Sequence, residues 1–196
     1  DRFESVAAFT EALAAAQAGL DVNLAPRQRA IAVLPFRNAS PDPDNEYVSD
    51  GITDELIHAL AHLEGLRVAS RSSVYALKGR PEDVRAVGAM LGVSIVLEGN
   101  VRSAGGRLRV TAQLSDASDG RLLWSERFDR EQGDLLALQD ELARTIVATL
   151  RTPLLSAGAL GEFAPRRPTA NGRAYHLYLR GRHAWNKRTG PDMVHA

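Results

Sequence analysis

The 196-residue chain contains no cysteine. Disulfide stapling, thiol catalysis and cysteine-based zinc sites are therefore excluded. Lysine occurs only at Lys78 and Lys187, so nearly all positive charge is arginine. Aromatic residues make up 6%, too few for a surface that stacks bases. No apolar run approaches the ~20 residues needed to cross a bilayer. Net charge is zero, which gives no overall pull toward nucleic acid or acidic surfaces. The balance is uneven, however. Residues 1–150 hold sixteen basic and twenty-two acidic side chains, residues 151–196 eight and two. The basic end reads as a solvated linker and helix, or as a contact surface for an acidic neighbour. The chain starts at Asp1 with neither an initiating Met nor an apolar leader, and reads as a piece of something longer.

What is present is an α/β pattern. Alanine-rich residues 1–20 read as a helix and 21–29 as a linker. Ile31–Phe36 is apolar throughout and reads as a strand covered on both faces. After a loop with Pro41 and Pro43 comes a helix with Ile52, Leu56, Leu60 and Leu63 on one stripe, for which Asp50 or Ser49 is a candidate cap. Leu66–Ala69 reads as a second strand. Ser70–Ser73 offers caps for a short helical turn, and another helix follows from Pro81 to Leu91, stopped by Gly92.

Val93–Val101 reads as a third strand. Hairpin signals at Ser103–Gly106 and Asp119-Gly120 flank Arg107–Ser115, where Leu108, Val110, Ala112 and Leu114 alternate with Arg107, Arg109, Thr111 and Gln113. Leu122–Asp129 reads as the next strand. Asp134 opens a long helix with Leu135, Leu138, Leu142, Ile146 and Leu150 inward. The order β-α-β-α-β-β-β-α implies a mixed sheet of about five strands, parallel early and antiparallel late, with helices packed on it and helical extensions at both ends. Residues 151–168 read as a linker. From Thr169 a helix carries Ala174, Leu177, Tyr178 and Gly181 at helical spacing, with nothing evident in the chain for it to pack against.

Candidate chemistry is sparse. Arg37 and Asn38 after the first strand, with Arg71, Ser72 and Ser73 after the second, frame an anion site beyond strand carboxyl ends, against the plainer reading of capping and surface arginine. Asp50, Asp54 and Glu55 share a helix, where first-turn acids favour the dipole. They read as that rather than as a metal cluster. His58 and His62 have metal-compatible spacing without a third ligand of the His-Glu-x-x-His kind, and read as exposed histidines. Trp124 and Phe128 lie on one face and read as core. With no aromatics among them, Arg107, Arg109, Thr111 and Gln113 do not read as a nucleic-acid surface. Ser72 and Ser73 lack a nucleophile elbow, and no Gly-rich phosphate loop, His-Arg-Asp or Asp-Phe-Gly segment is present.

The segments Ala30–Phe36, Tyr47–Leu56, Gly92–Val101, Arg107–Asp116, Leu123–Asp129 and Leu138–Glu141 together resemble the TolB amino-terminal-type domain over about residues 28–150. Residues 1–13 resemble the closing segment of a bacterial serine/threonine kinase domain, and residues 174–189 the lead-in helix of a tetratricopeptide repeat array. The resemblance implies a bacterial signalling protein. Its parts would be 1–20, the end of a kinase-like domain; 21–29, a linker; 30–150, the α/β domain; 151–168, a linker; and 169–196, the start of the repeats. It implies a non-catalytic sensory or interaction module in the cytoplasm, with protein partners or neighbouring domains and room for a homodimer. The alternative is a regulatory domain that binds a small anion or nucleotide. ATP and magnesium are expected only for the parent kinase, and no cofactor is expected for this piece.

Overall fold

The computed structural model describes residues 30–80, 83–154 and 171–187, together with Thr169. The expected helix over 1–20, the linker at 21–29 and most of that at 151–168 lie outside the described residues. The strands are β1 (Ala30–Val33), β2 (Arg37–Asn38), β3 (Arg67–Val68), β4 (Ile95–Ala104), β5 (Arg107–Asp116) and β6 (Leu122–Glu131). The helices are α1 (Glu46–Ala61), α2 (Arg71–Tyr75), α3 (Val84–Leu91), α4 (Leu135–Leu154) and α5 (Gly172–Lys187). They build one mixed six-stranded sheet of order β3-β1-β4-β5-β6, with β2 pairing β4. The β1–β3, β1–β4 and β2–β4 pairs are parallel, the β4–β5 and β5–β6 pairs antiparallel.

The run expected as one strand, Ile31–Phe36, is cut short at Val33, and a separate two-residue strand follows it. Pro35 has no N–H for the ladder, so β1 stops at Val33 and pairing with β4 resumes at Arg37, opposite Asn100. The N–H of Phe36 at this kink is buried and donates to Thr53 Oγ1 of α1 at 2.9 Å, and that hydroxyl donates to the Ser49 carbonyl at 2.8 Å. Replacing Thr53 with Val keeps the volume but removes the acceptor. We expect Thr53→Val to cost about 1–3 kcal/mol, the penalty of an unsatisfied buried donor, and Thr53→Ser to cost less in the same denaturation measurement.

One face of the sheet holds the larger core. Ile31, Val33, Ile95, Leu97, Val101, Leu108, Val110, Ala112, Leu114 and Phe128 meet Ile52, Leu56 and Leu60 of α1 and Leu135, Leu138, Leu142, Ile146 and Leu150 of α4. The alternation along β5 is thus realised, and Trp124 packs against this same cluster, as expected. The opposite face holds a smaller cluster, in which α2 and α3 cover Ala30, Ala32, Val96 and Ala117. Ser70 caps α2 by accepting from the Ser73 N–H, and Gly92 ends α3 with φ +63°, a left-handed stop. The β4–β5 hairpin turns on Gly105 and Gly106, both at positive φ. Helix α4 runs to Leu154, past the expected boundary at 150.

The last helix departs most from expectation. Instead of lacking a surface to pack on, α5 docks on α1. Its buried residues are Tyr175 and Leu179, at i and i+4, each about 1% exposed. Leu177 and Tyr178, part of the apolar spacing noted in the sequence, point outward with Trp185. The sequence offers two apolar stripes on this helix. Gly51 selects between them, because a Cβ there would lie 2.7 Å from Leu179 Cδ1. Only a glycine lets the α5 leucine come so close to α1.

Candidate functional site

Helix α1 begins at Glu46, and its N-cap residue Asn45 makes no side-chain cap. Asp50 and Ser49 are therefore not caps: Ser49 is buried and Asp50 lies in the second turn. The acids of α1 do different work. Asp50 Oδ1 accepts from Lys78 Nζ at 2.6 Å, and its Oδ2 lies 2.9 Å from His183 Nδ1 of α5. Asp54, 8% exposed, pairs with Arg71 at 2.8 Å and with Arg182 of α5 at 3.2 Å. Arg182 also reaches Glu55 at 3.6 Å. One turn earlier, Tyr47 Oη lies 3.3 Å from His176 Nδ1. The first-turn reading of Asp50, Asp54 and Glu55 is thus replaced by a strip that grips basic groups from α2, its following loop and α5.

Burial opposes ionisation of Asp50, but hydrogen bonds from His183 and Lys78 outweigh it and hold the carboxyl below its ordinary value. A carboxylate with a lowered folded value adds stability above its unfolded value, and that stability is lost as pH falls through the folded one. Acid titration of stability should therefore show a loss below about pH 4 that Asp50→Asn flattens. Arg71 stacks 4.0 Å above the Tyr75 ring, and the Tyr75 hydroxyl donates to the Asp50 carbonyl at 3.4 Å. Burial, then the nearby Asp50 and Asp54 charges, push the Tyr75 phenol far up.

Beside this strip lies a cleft of about 510 Å³. It opens where β1 ends at the Pro35 kink, beneath the loop that follows α2. Arg37, Asn38, Lys78 and Arg80 line its rim, and Glu98, Asn100, Thr111 and Gln113 of β4 and β5 its floor. Lys78 joins cleft and strip, because it pairs with Glu46 at 2.7 Å as well as with Asp50.

The anion site framed from sequence is only partly assembled. Arg37 and Asn38 lie together in the cleft, whereas Arg71, Ser72 and Ser73 are not among its lining residues. Arg71 is held by Asp54, and the serines form a local net around Ser70 Oγ, at 3.0 Å to Ser72 Oγ and 2.8 Å to Ser73 Oγ. Asn38 shapes its own loop: its Oδ1 accepts from the Ser40 N–H and its Nδ2 donates to the Asp42 carbonyl. Of the floor residues, Thr111 and Gln113 were weighed from sequence only as a nucleic-acid surface and set aside, and Glu98 and Asn100 were missed because they sit inside a strand that reads as mainly apolar. Arg80 was missed because a basic loop residue carries no local signal. His58 and His62 are exposed, their rings 4.5 Å apart, with the His62 Nδ1 at 2.7 Å from the His58 carbonyl. Among the described residues no cluster of three metal-ligating side chains occurs. No described helix is long and apolar enough to cross a membrane.

Comparison with known proteins gives three results. The family model for the second domain of HilA/YgeH-like transcriptional regulators matches residues 27–145. A Rhizobium meliloti (strain 1021) protein named "Putative adenylate cyclase 3" is 45% identical over 161 residues, 81% of this chain. The chain spans 27% of the length of that relative. Similar solved structures include lipoprotein GNA1162 from Neisseria meningitidis, with TM-score 0.47, 21% identity and coverage of 64% of this chain and 99% of that one. TolB from Acinetobacter baumannii is another, with TM-score 0.46, 17% identity and coverage of 62% and 28%. The matching family model thus carries a different name from the TolB-type family expected from sequence.

Proposed function

Because the chain belongs to the HilA/YgeH-like second-domain family, we propose that it is a non-catalytic interaction module of a longer bacterial signalling protein, working in the cytoplasm. Its task is to hold an output domain and a scaffold in a fixed relation. The output domain is a serine/threonine kinase, as the resemblance of residues 1–13 implies, or a nucleotide cyclase, as the name of the 45% identical relative suggests. The scaffold is a helical repeat array that starts with α5. ATP and magnesium belong to the output domain; this piece needs no cofactor.

The observation that carries this reading is the two-sided character of α5. Its inner face is fixed to α1 by Tyr175, Leu179, Arg182 and His183, while Leu177, Tyr178 and Trp185 are more than half exposed on the outside. Three large apolar side chains on one helix are surface that another helix would cover. The test is Trp185 fluorescence in a Trp124→Phe background. In the isolated chain the emission should be that of a hydrated indole. In the full-length parent it should shift to the blue and resist quenching by acrylamide. Identical emission and quenching in the two contexts would remove the proposal.

A further inference from the structure

The geometry points to the cleft beside β2 as a binding site for a phosphorylated sugar, either free or as the ribose phosphate of a nucleotide. Arg37 and Arg80 come from separate segments yet line one cleft. Neither has an ion-pair partner among the described residues. A phosphate lying between two guanidiniums gains charge-assisted hydrogen bonds from both. Lys78 is not free for this role, because Glu46 and Asp50 already hold it.

The floor asks for something other than charge. Glu98 stands opposite Gln113, and Asn100 opposite Thr111, in the β4–β5 register. Alternation along both strands places these four on the sheet face opposite the main core, and no residue of α3 lines the cleft there. A carboxylate, two carboxamides and a hydroxyl supply both acceptors and donors, the pairing that a polyhydroxylated body uses. Glu98 has no cation partner among the described residues, so a second negative group would meet repulsion there. The anion therefore belongs at the arginine rim and the neutral, hydroxyl-bearing part over the floor. Pro35 and Leu77 give the walls apolar surface, and the volume lies within the ordinary range for small-molecule sites. This inference does not depend on the docking of α5 or on the output domain.

The test is calorimetric titration of the whole chain with ribose 5-phosphate, AMP, ribose and inorganic phosphate, together with amide NMR. Ribose 5-phosphate or AMP should bind saturably and shift the resonances of residues 98–100 and 111–113. The stronger of the two identifies the source, free sugar phosphate or nucleotide. Arg37→Ala with Arg80→Ala should weaken binding by about tenfold or more. Glu98→Gln should weaken the sugar phosphate while leaving any response to inorganic phosphate unchanged. All three side chains are exposed or half-buried, so circular dichroism should report an intact fold. The inference is overturned if neither phosphate ester binds, if inorganic phosphate binds as tightly as ribose 5-phosphate, or if the double variant binds as well as the parent sequence.

Discussion

Adding one methyl group at Gly99 is expected to cost about 3 kcal/mol or more, and Gly99→Val to leave the chain unable to fold. Gly99 lies in the middle of β4, the strand on which the parallel and antiparallel halves of the sheet meet. A Cβ there would run into the Phe36 ring and into the Thr111 carbonyl oxygen of β5. The ring is 1% exposed and is packed by the main core. The carbonyl belongs to the backbone of a paired strand and cannot turn away. Neither neighbour can yield without breaking the ladder or the core, so the strain is not relieved by a rotamer change. Gly133→Ala is the control, because nothing lies within 4 Å of its Cβ position. That variant should stay within about 0.5 kcal/mol of the parent sequence. Urea denaturation followed by circular dichroism measures both. A Gly99→Ala protein as stable as the control would mean that Phe36 does not pack over β4 as described.

The second large effect is expected at Leu179. Leu179→Asp should release α5 from α1 without unfolding the sheet. The side chain is about 1% exposed and rests in the notch that Gly51 leaves. Placing a carboxylate there buries a charge beside the acids Asp50, Asp54 and Glu55, at a cost that exceeds what one docked helix returns. Deleting the apolar contact alone, with Leu179→Ala, is worth about 2–5 kcal/mol. Hydrogen exchange should then show the amides of 172–187 at unprotected rates, while β4, β5 and β6 remain protected. Loss of protection throughout the chain would show that α5 is part of the cooperative core rather than a docked element. Unchanged protection in α5 would show that it is held by something other than this contact.

These two variants also mark what the sequence could and could not reveal. Gly99 sits within a strand that was readable from its apolar run, and the alternation of β5 placed Leu108, Val110, Ala112 and Leu114 in the core correctly. Local periodicity reports which side of a strand or helix is apolar, and within the sheet that was enough. It does not report which distant surface fits. The partners of Asp50 lie 28 and 133 residues away, at Lys78 and His183, and no local pattern signals them. The acids of α1 therefore looked like dipole-favouring residues, and α5 looked partnerless, its buried pair Tyr175 and Leu179 not singled out. Pro35 was present in the sequence, but the apolar Phe36 after it carried the expected strand two residues beyond Leu34, whereas β1 ends at Val33. The same limit applies to the cleft. Arg37 and Asn38 were readable as residues beyond a strand end, whereas Arg80 and the β4–β5 floor join them only through the hairpin register and the path of the loop after α2.

The role proposed for this domain depends on α5 being gripped on one side and open on the other. The most direct check is a nuclear Overhauser measurement on methyl-labelled protein, looking for contact between the Leu179 methyl groups and the Gly51 α-protons. Strong cross-peaks between them, together with contacts from the Tyr175 ring into the α1–α4 core, are the expected result. Absence of these cross-peaks in folded protein, with the Leu179 methyls at solvent-exposed shifts, would contradict the docked helix and the interaction surface built on it.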